Sequence, residues 1–519
     1  MSESRSMKLV LDGICAAIVM VAAVMLISGG LPEMALPIGL SGVPVRLALD
    51  PLAASFLLLA PCMFSGPLSL AGLVLILSAA NGFTLAIGLL MLGGLAASRP
   101  AVVAAVCVIV ALALAGSLSD FAVIRAMPPD GWRATAVLLF ALAGAAATAS
   151  FSPAIAAYAM LRLLFDLSGA GQPFLWGVPL VIAGVLIATM VALRAARSET
   201  LHDVASYAAL HQFGLAVTSL GVALFARAVD LPSVTSNALS AVWLALVCHL
   251  LCRTLLLRCS DAVESGAGTR RLDRLGGVIH RMPVTSGAWL VGLFTIAVLP
   301  PGLGFAAFWL AFQSLLAAAR IGGLGLGLLI TAVTILTGAS VGLTALAALR
   351  LAAVALLGRP RTPRAAAADE APRDVRLRLL GVTLLVGLLG VVPGLALLPS
   401  SGWIHGGATV VSPLGLRTGL EAPGYASIFV AILLAIAWIV LSRLRRQFPA
   451  RREPAWSGGF AAPPAWMPFG DPATQMGSDS FVAPLNAVLT LLPKADPLQQ
   501  LLTHWRDTLR RAIATLVAT

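Results

Sequence analysis

Residues 248–283 read CHLLCRTLLLRCSDAVESGAGTRRLDRLGGVIHRMP. An apolar helix carries His249 and Arg253 one turn apart. It gives way to a Gly- and Arg-rich loop, and a new apolar run begins near Ser286. A charged group at bilayer depth is costly, about 2.5–3.5 kcal/mol for an arginine at the centre of a span. Groups kept there serve hydrogen bonding, a local field or proton chemistry. The stretch therefore reads as a span, a loop and a return span.

The rest of the chain agrees. Of its 519 residues, 59% are apolar and 11% charged, and the mean hydropathy is +0.97. Soluble domains carry about 25% charged residues, so the composition is that of an integral membrane protein. Apolar runs recur from Leu9 to Leu441, enough for about 12 to 14 spans. The first, Leu9 to Gly30, follows Lys8 as a signal sequence would. It contains Asp12 and lacks a small-x-small cleavage site, which favours a retained first span.

The net charge of +12 has a topological meaning. Five arginines lie between Arg258 and Arg281, six between Arg359 and Arg378, and five between Arg443 and Arg452, whereas the loop from Pro399 to Gly424 has only Arg417. Basic residues concentrate in cytoplasmic loops. The pattern places those loops and the C-terminus in the cytoplasm and accounts for the charge without nucleic acid. The six cysteines, Cys15, Cys62, Cys107, Cys248, Cys252 and Cys259, form no C-x-x-C pair. They read as small apolar residues in packed helices, so no metal or redox cofactor site is expected.

Three regions follow. Residues 1–195 are compressed apolar helices, 196–445 form the recognisable core, and 446–519 are a cytoplasmic tail. The tail ends in a segment whose Leu498, Leu501, Leu502, Trp505, Leu509, Ile513 and Leu516 share a face, as in an amphipathic surface helix. Gly322-Gly323-Leu324-Gly325-Leu326-Gly327 is expected to allow close helix contact.

The loop Gly268-Thr269-Arg270-Arg271-Leu272-Asp273-Arg274-Leu275-Gly276-Gly277, with Cys248-His249 and Arg253 before it, resembles a family. It is similar to the antiporter-like membrane subunits of respiratory complex I and energy-converting hydrogenases, nearest to the component B branch of hydrogenase four and formate hydrogenlyase. Leu201 to Gly214 resembles a helix start of that family. Leu299-Pro300-Pro301 with Gly304-Phe305 and Trp309 resembles its broken helix, and Leu357-Gly358-Arg359-Pro360-Arg361 the end of the helix that carries its last buried Lys. Trp456 to Phe460 and Thr474 to Leu485 resemble a component B tail signature. The resemblance covers roughly residues 116–490 and implies an all-α, polytopic, antiporter-like helix bundle with broken helices. It also implies membrane and peripheral partner subunits of a hydrogenase-like or complex-I-like assembly in a bacterial-type inner membrane.

The resemblance further implies a buried line of titratable groups: an early Glu, a broken-helix Lys, a central Lys/His pair and a final Lys or Glu. This chain has only two lysines, Lys8 and Lys494, outside the apolar runs. Leu89 stands in place of the early Glu. The approach to the first broken helix, Thr148 to Pro153, has no ionisable group. The first broken-helix Lys would fall near Leu164, flanked by Arg162 and Asp166 at ion-pairing spacing. Arg253 and Arg350 take the later lysine positions, and Phe308 that of a Glu. Arginine keeps the charge but does not release its proton in proteins. His211 and His249 remain as groups that titrate near neutral pH, although a lone histidine in an apolar helix is more often a packing residue. The proton-path candidates are thus His211, His249, Arg253 and Arg350. The expected role is a partner-anchoring subunit with translocation weakened or lost. The alternatives are active transport through the histidines and a stand-alone transporter or partner-binding protein that keeps the fold.

Overall fold

The computed structural model describes residues 34–40, 43–47, 50–59, 153–166, 172–321, 323–404, 410–412, 415–417, 424–447 and 477–491. The run Leu9 to Gly30, Leu89, the approach 148–152, the Trp456 motif and the expected C-terminal amphipathic helix lie outside them.

Long apolar helices dominate. A hairpin of β1 (Met34–Leu40) and β2 (Val43–Leu47) precedes α1 (Pro51–Leu58). Helix α2 (Pro153–Met160) runs into a π-helical stretch, Leu161–Asp166. Then come α3 (Gly177–Arg197), α4 (Leu201–Ala228) and α5 (Pro232–Ala267). Helices α6 (Pro283–Ile296) and α7 (Leu303–Ala318) follow, and α8 (Leu324–Leu351) ends in π-helical Ala352–Leu356. After α9 (Arg373–Val391), a hairpin of β3 (Val410–Ser412) and β4 (Gly415–Arg417) leads to α10 (Ser427–Gln447) and α11 (Ser478–Leu491). The architecture is all-α and polytopic, and among the described residues the strands form two short hairpins.

Among the described residues, five helices are long and apolar enough to cross a membrane. A sixth results if α9 and Pro393–Gly402, bent by 99°, are one span. The bundle has a centre and a rim. The apolar windows of α4 and α5 are 94% and 89% buried, against 22% for α8 and 6% for α10. Helices apolar on every face belong inside protein or lipid. Here α4 and α5 take the inside, and α8 and α10 the rim.

Helix ends follow local chemistry. Thr200 caps α4, its Oγ1 accepting from the Asp203 N–H. Pro232 opens α5, where no amide donor is needed, and Gly268 closes it in a left-handed turn at φ 68°. The expected broken helix is present. Between α6 and α7 lie Pro300 and Pro301, which lack amide donors and cannot continue an α-helix. Beside the break Gly304 packs so tightly that a Cβ on it would sit 2.2 Å from the Thr295 carbonyl oxygen. Glu370, 85 residues away in sequence from Thr285, closes the start of α6. Its carboxylate accepts from the Val284 N–H (2.8 Å) and the Thr285 hydroxyl (2.5 Å).

The Gly268–Gly277 loop is held by its backbone. Leu201 N donates to Arg270 O, Leu272 N to Glu199 O, and Gly277 N to Leu357 O, all within 3.0 Å. Thr362 Oγ1 donates to Arg274 O at 3.0 Å. Gly276 adopts φ +128°, and a Cβ there would fall 2.3 Å from Arg359 O. The Arg271–Glu199 pair at 3.1 Å is half-exposed and contributes about 1 kcal/mol at most. The loop ties three interhelical connections together, which is why it needs its glycines.

In the glycine run at 322–327, Gly327 makes the close contact expected, a Cβ on it falling 3.3 Å from the Ala319 carbonyl oxygen just past α7, but its described neighbours do not. No atom lies within 4 Å of a Cβ on Gly323 or Gly325. The closest approach is between α3 and α4, where glycines recur seven apart on each helix. A Cβ on Gly184 would lie 2.3 Å from Thr218 N, and one on Gly214 2.6 Å from Ala188 N. With so little side chain between them the backbones meet, the usual way to pack helices where lipid offers no hydrophobic drive.

Candidate functional site

The two histidines sit at the centre of the bundle, both fully buried. His211, on α4, places Nε2 2.9 Å from the Ser340 hydroxyl of α8. Ser340 donates its own proton to Thr337 O at 2.7 Å. Its oxygen is therefore left to accept, and the network assigns the His211 proton to Nε2. His249, on α5, places Nδ1 2.8 Å from the Ala209 carbonyl of α4. A carbonyl only accepts, so the His249 proton is on Nδ1. The remaining nitrogens, His211 Nδ1 and His249 Nε2, are buried without a hydrogen-bond partner, as are both amide atoms of Gln212. Each imidazole is fixed as one neutral tautomer with a bare acceptor. Such an acceptor costs about 1–3 kcal/mol unless something satisfies it.

The arginines differ in setting. Arg253 is one turn beyond His249 and only half-buried. Arg350 is fully buried near the end of α8, and its Nη2 donates to the carbonyl of Ser198. Ser198 caps the C-terminus of α3, where the helix dipole is negative and favours a cation. Arg350 therefore closes α3 from across the bundle.

A third constellation lies at the first broken-helix position. Leu164 is buried, and the charge is on Arg162 and Asp166, two residues to either side. Arg162 donates through Nη1 to Asp166 Oδ2 at 2.6 Å, the pair expected from sequence. It also grips Asp50 with both terminal nitrogens, Nη1 to Oδ2 at 2.5 Å and Nη2 to Oδ1 at 2.7 Å, and Nη2 reaches the Tyr158 hydroxyl at 3.1 Å. Asp50 Oδ1 in addition accepts from Ala53 N, capping α1. Sequence reasoning missed Asp50, 112 residues away, because nothing local marks it. The π-helical Leu161–Asp166 turn carries this arginine, and such turns are frequent at functional sites. Beside it, Arg227 donates to Phe165 O at 2.5 Å and lies over the Phe165 ring.

The structure thus joins His211 to α8, His249 to α4 and Arg350 to α3, and leaves Arg253 at the edge of the core. Phe308 packs against Phe312, ring centroids 5.6 Å apart. Cys248 and Cys252 lie 3.9 Å apart, sulfur to sulfur, on one face of α5. Among the described residues no three His, Cys, Asp or Glu side chains are grouped as metal ligands.

The family described as NADH:quinone oxidoreductase/Mrp antiporter, transmembrane, matches residues 47–337, more than half the chain. The chain belongs to this family. Formate hydrogenlyase subunit 3 of Escherichia coli (strain K12) is 28% identical over 343 residues, 64% of this chain and 54% of that protein. Hydrogenase-4 component B of the same organism is 25% identical over 398 residues, 69% of this chain and 59% of that one. The chain spans little more than half the length of these relatives. A chain in the structure of the membrane-bound sulfane sulfur reductase, an archaeal respiratory membrane complex, superposes with a TM-score of 0.72. That match covers 95% of this chain and 89% of that one at 17% identity, and shows a shared fold. The family match includes the Arg162 cluster, both histidines and the broken helix α6–α7.

Proposed function

We propose that the chain is a membrane subunit of a hydrogenase-related or NADH-quinone-oxidoreductase-related complex, anchoring partner subunits, with proton translocation degenerate. The membrane is the cytoplasmic membrane of a bacterium, with the loop 258–281 and the C-terminus inside. Family membership and the two E. coli relatives support the assembly. The observation that carries the loss of translocation is the state of the arginines. Arg162 is clamped by two carboxylates and Arg350 is spent on a helix terminus, both as permanent cations. A carrier must release its proton, and guanidinium does not. These groups hold elements together where a transporting relative needs a switch.

A second reading keeps transport, and one observation favours it. His211 Nδ1 and His249 Nε2 are bare acceptors buried in the core. A neutral imidazole with a bare nitrogen can take up a proton and pass on the one at its other nitrogen. In that case Arg253 and Arg350 would set the local field.

Affinity purification of the tagged chain in mild detergent, followed by mass spectrometry, tests the assembly. Large and small hydrogenase-like subunits, or quinone-oxidoreductase-like ones, are expected in stoichiometric yield. Recovery of a folded chain alone would overturn the subunit reading and leave a protein that keeps only the fold.

A further inference from the structure

At the end of α3 the chain shapes a cavity of about 480 Å³ that no role above uses. Arg194, Arg197 and Tyr207 line it together with Met190 and Leu193. Both arginines are exposed and sit in the last turn of the helix. Behind them an apolar stripe runs along α3 at helical spacing. Ile182, Leu186 and Met190 are 38%, 50% and 52% exposed, on the side of α3 away from α4. The stripe and the arginines form one continuous track, apolar in the membrane and cationic at its end.

The level of that end is fixed by the loop. Glu199 and Leu201, just past α3, hydrogen-bond the backbone of Leu272 and Arg270. Arg194 and Arg197 therefore belong to the layer of the arginine-rich loop 258–281, where the membrane surface is negative if that loop is cytoplasmic. Asp203 and Ser198 also line the cavity. The Asp203 carboxylate is engaged by the Thr200 hydroxyl at 2.7 Å, and the Ser198 carbonyl is taken by Arg350. Two guanidinium groups thus face one partly satisfied carboxylate.

We propose that this cavity binds an anionic phospholipid. Its phosphate would be gripped by Arg194 and Arg197, its polar linkage would lie against Tyr207, and one acyl chain would follow Met190, Leu186 and Ile182. A guanidinium matches phosphate bidentately. The apolar stripe explains why a lipid fits better than a free anion, which would use the head of the track and leave the rest idle. A protein segment would need an acidic end joined to an apolar helix, and nothing on this face selects one.

The test uses the whole chain, with any subunits that co-purify, in detergent. Thermal stability and native mass spectrometry are read with added phosphatidylglycerol, phosphatidylcholine or inorganic phosphate. Phosphatidylglycerol should stabilise the wild type and be retained through gas-phase activation. R194Q/R197Q should weaken that retention on the order of 25-fold, about fivefold per arginine near an anionic headgroup. R445Q/R446Q, which removes two basic residues at the end of α10, should respond as wild type does. Equal retention in R194Q/R197Q and wild type would overturn the site. Stabilisation by inorganic phosphate matching that by phosphatidylglycerol would make it an anion site and overturn the lipid. Loss of a co-purifying subunit from R194Q/R197Q without change in lipid retention would assign the track to a protein and overturn the proposal.

Discussion

Replacing Arg162 by Leu is expected to destabilise the protein by about 3 kcal/mol, the low end of the cost of breaking a buried ion pair. Arg162 pairs with both Asp50 and Asp166, and its side chain is 1% exposed. Without it both carboxylates lose their shared guanidinium, and the Tyr158 hydroxyl loses the Arg162 donor. The loss stays at the low end because the carboxylates are 31% and 27% exposed and keep part of their hydration. Lysine should restore little, since one ammonium cannot reproduce the two-nitrogen grip on Asp50. Removing the acids as well, in R162L/D50N/D166N, should recover much of the loss. Thermal unfolding in detergent reads all three variants. A single variant as stable as wild type would show that the cluster contributes nothing.

The second large effect is expected at Gly184. Replacement by Leu should cost at least about 3 kcal/mol, the upper end for forcing volume into a packed interior. The neighbour is the backbone of α4, so no side chain can swing away. Thr218 N and Cα lie 2.3 and 2.8 Å from the Cβ position. The helices must separate, and α3 must let go of its most extensive neighbour. Gly338, on the open side of α8 with no atom within 4 Å, is the control. Leu there should change stability by no more than about 0.5 kcal/mol. If both variants fall equally, the loss is not one of backbone contact. Unfolding midpoints and yield of monodisperse protein distinguish the cases.

These two sites show what a single sequence can and cannot disclose. The membrane class was plain from the low charge, and the broken helix from the family resemblance that Leu299-Pro300-Pro301 with Gly304-Phe305 carries. The Arg162–Asp166 pair was legible from local spacing, being four residues apart on one helix face. Asp50 was not, since the fold alone brings it across 112 residues. Glu370 at the head of α6 was missed likewise. The glycines are a mixed case, Gly327 meeting the Ala319 carbonyl while Gly323 and Gly325 meet nothing. The run at 322–327 looked like a packing motif because its glycines are crowded in sequence. The contacts that matter are made by glycines seven apart on two neighbouring helices, which only the pairing of α3 with α4 reveals. His211 and His249 were found from sequence. Their tautomers depend on Ser340 and Ala209, one on a distant helix, and had to be read from the structure.

Whether protons cross this chain decides its role. The most direct test is to reconstitute the purified protein, with whatever subunits accompany it, into liposomes holding a pH-sensitive dye, and to impose a potassium diffusion potential. No redox substrate is needed. Degenerate translocation predicts a proton flux equal to that of protein-free liposomes, unchanged in H211A and H249A. A flux well above that background and abolished by either substitution would contradict it and make the histidines a working path.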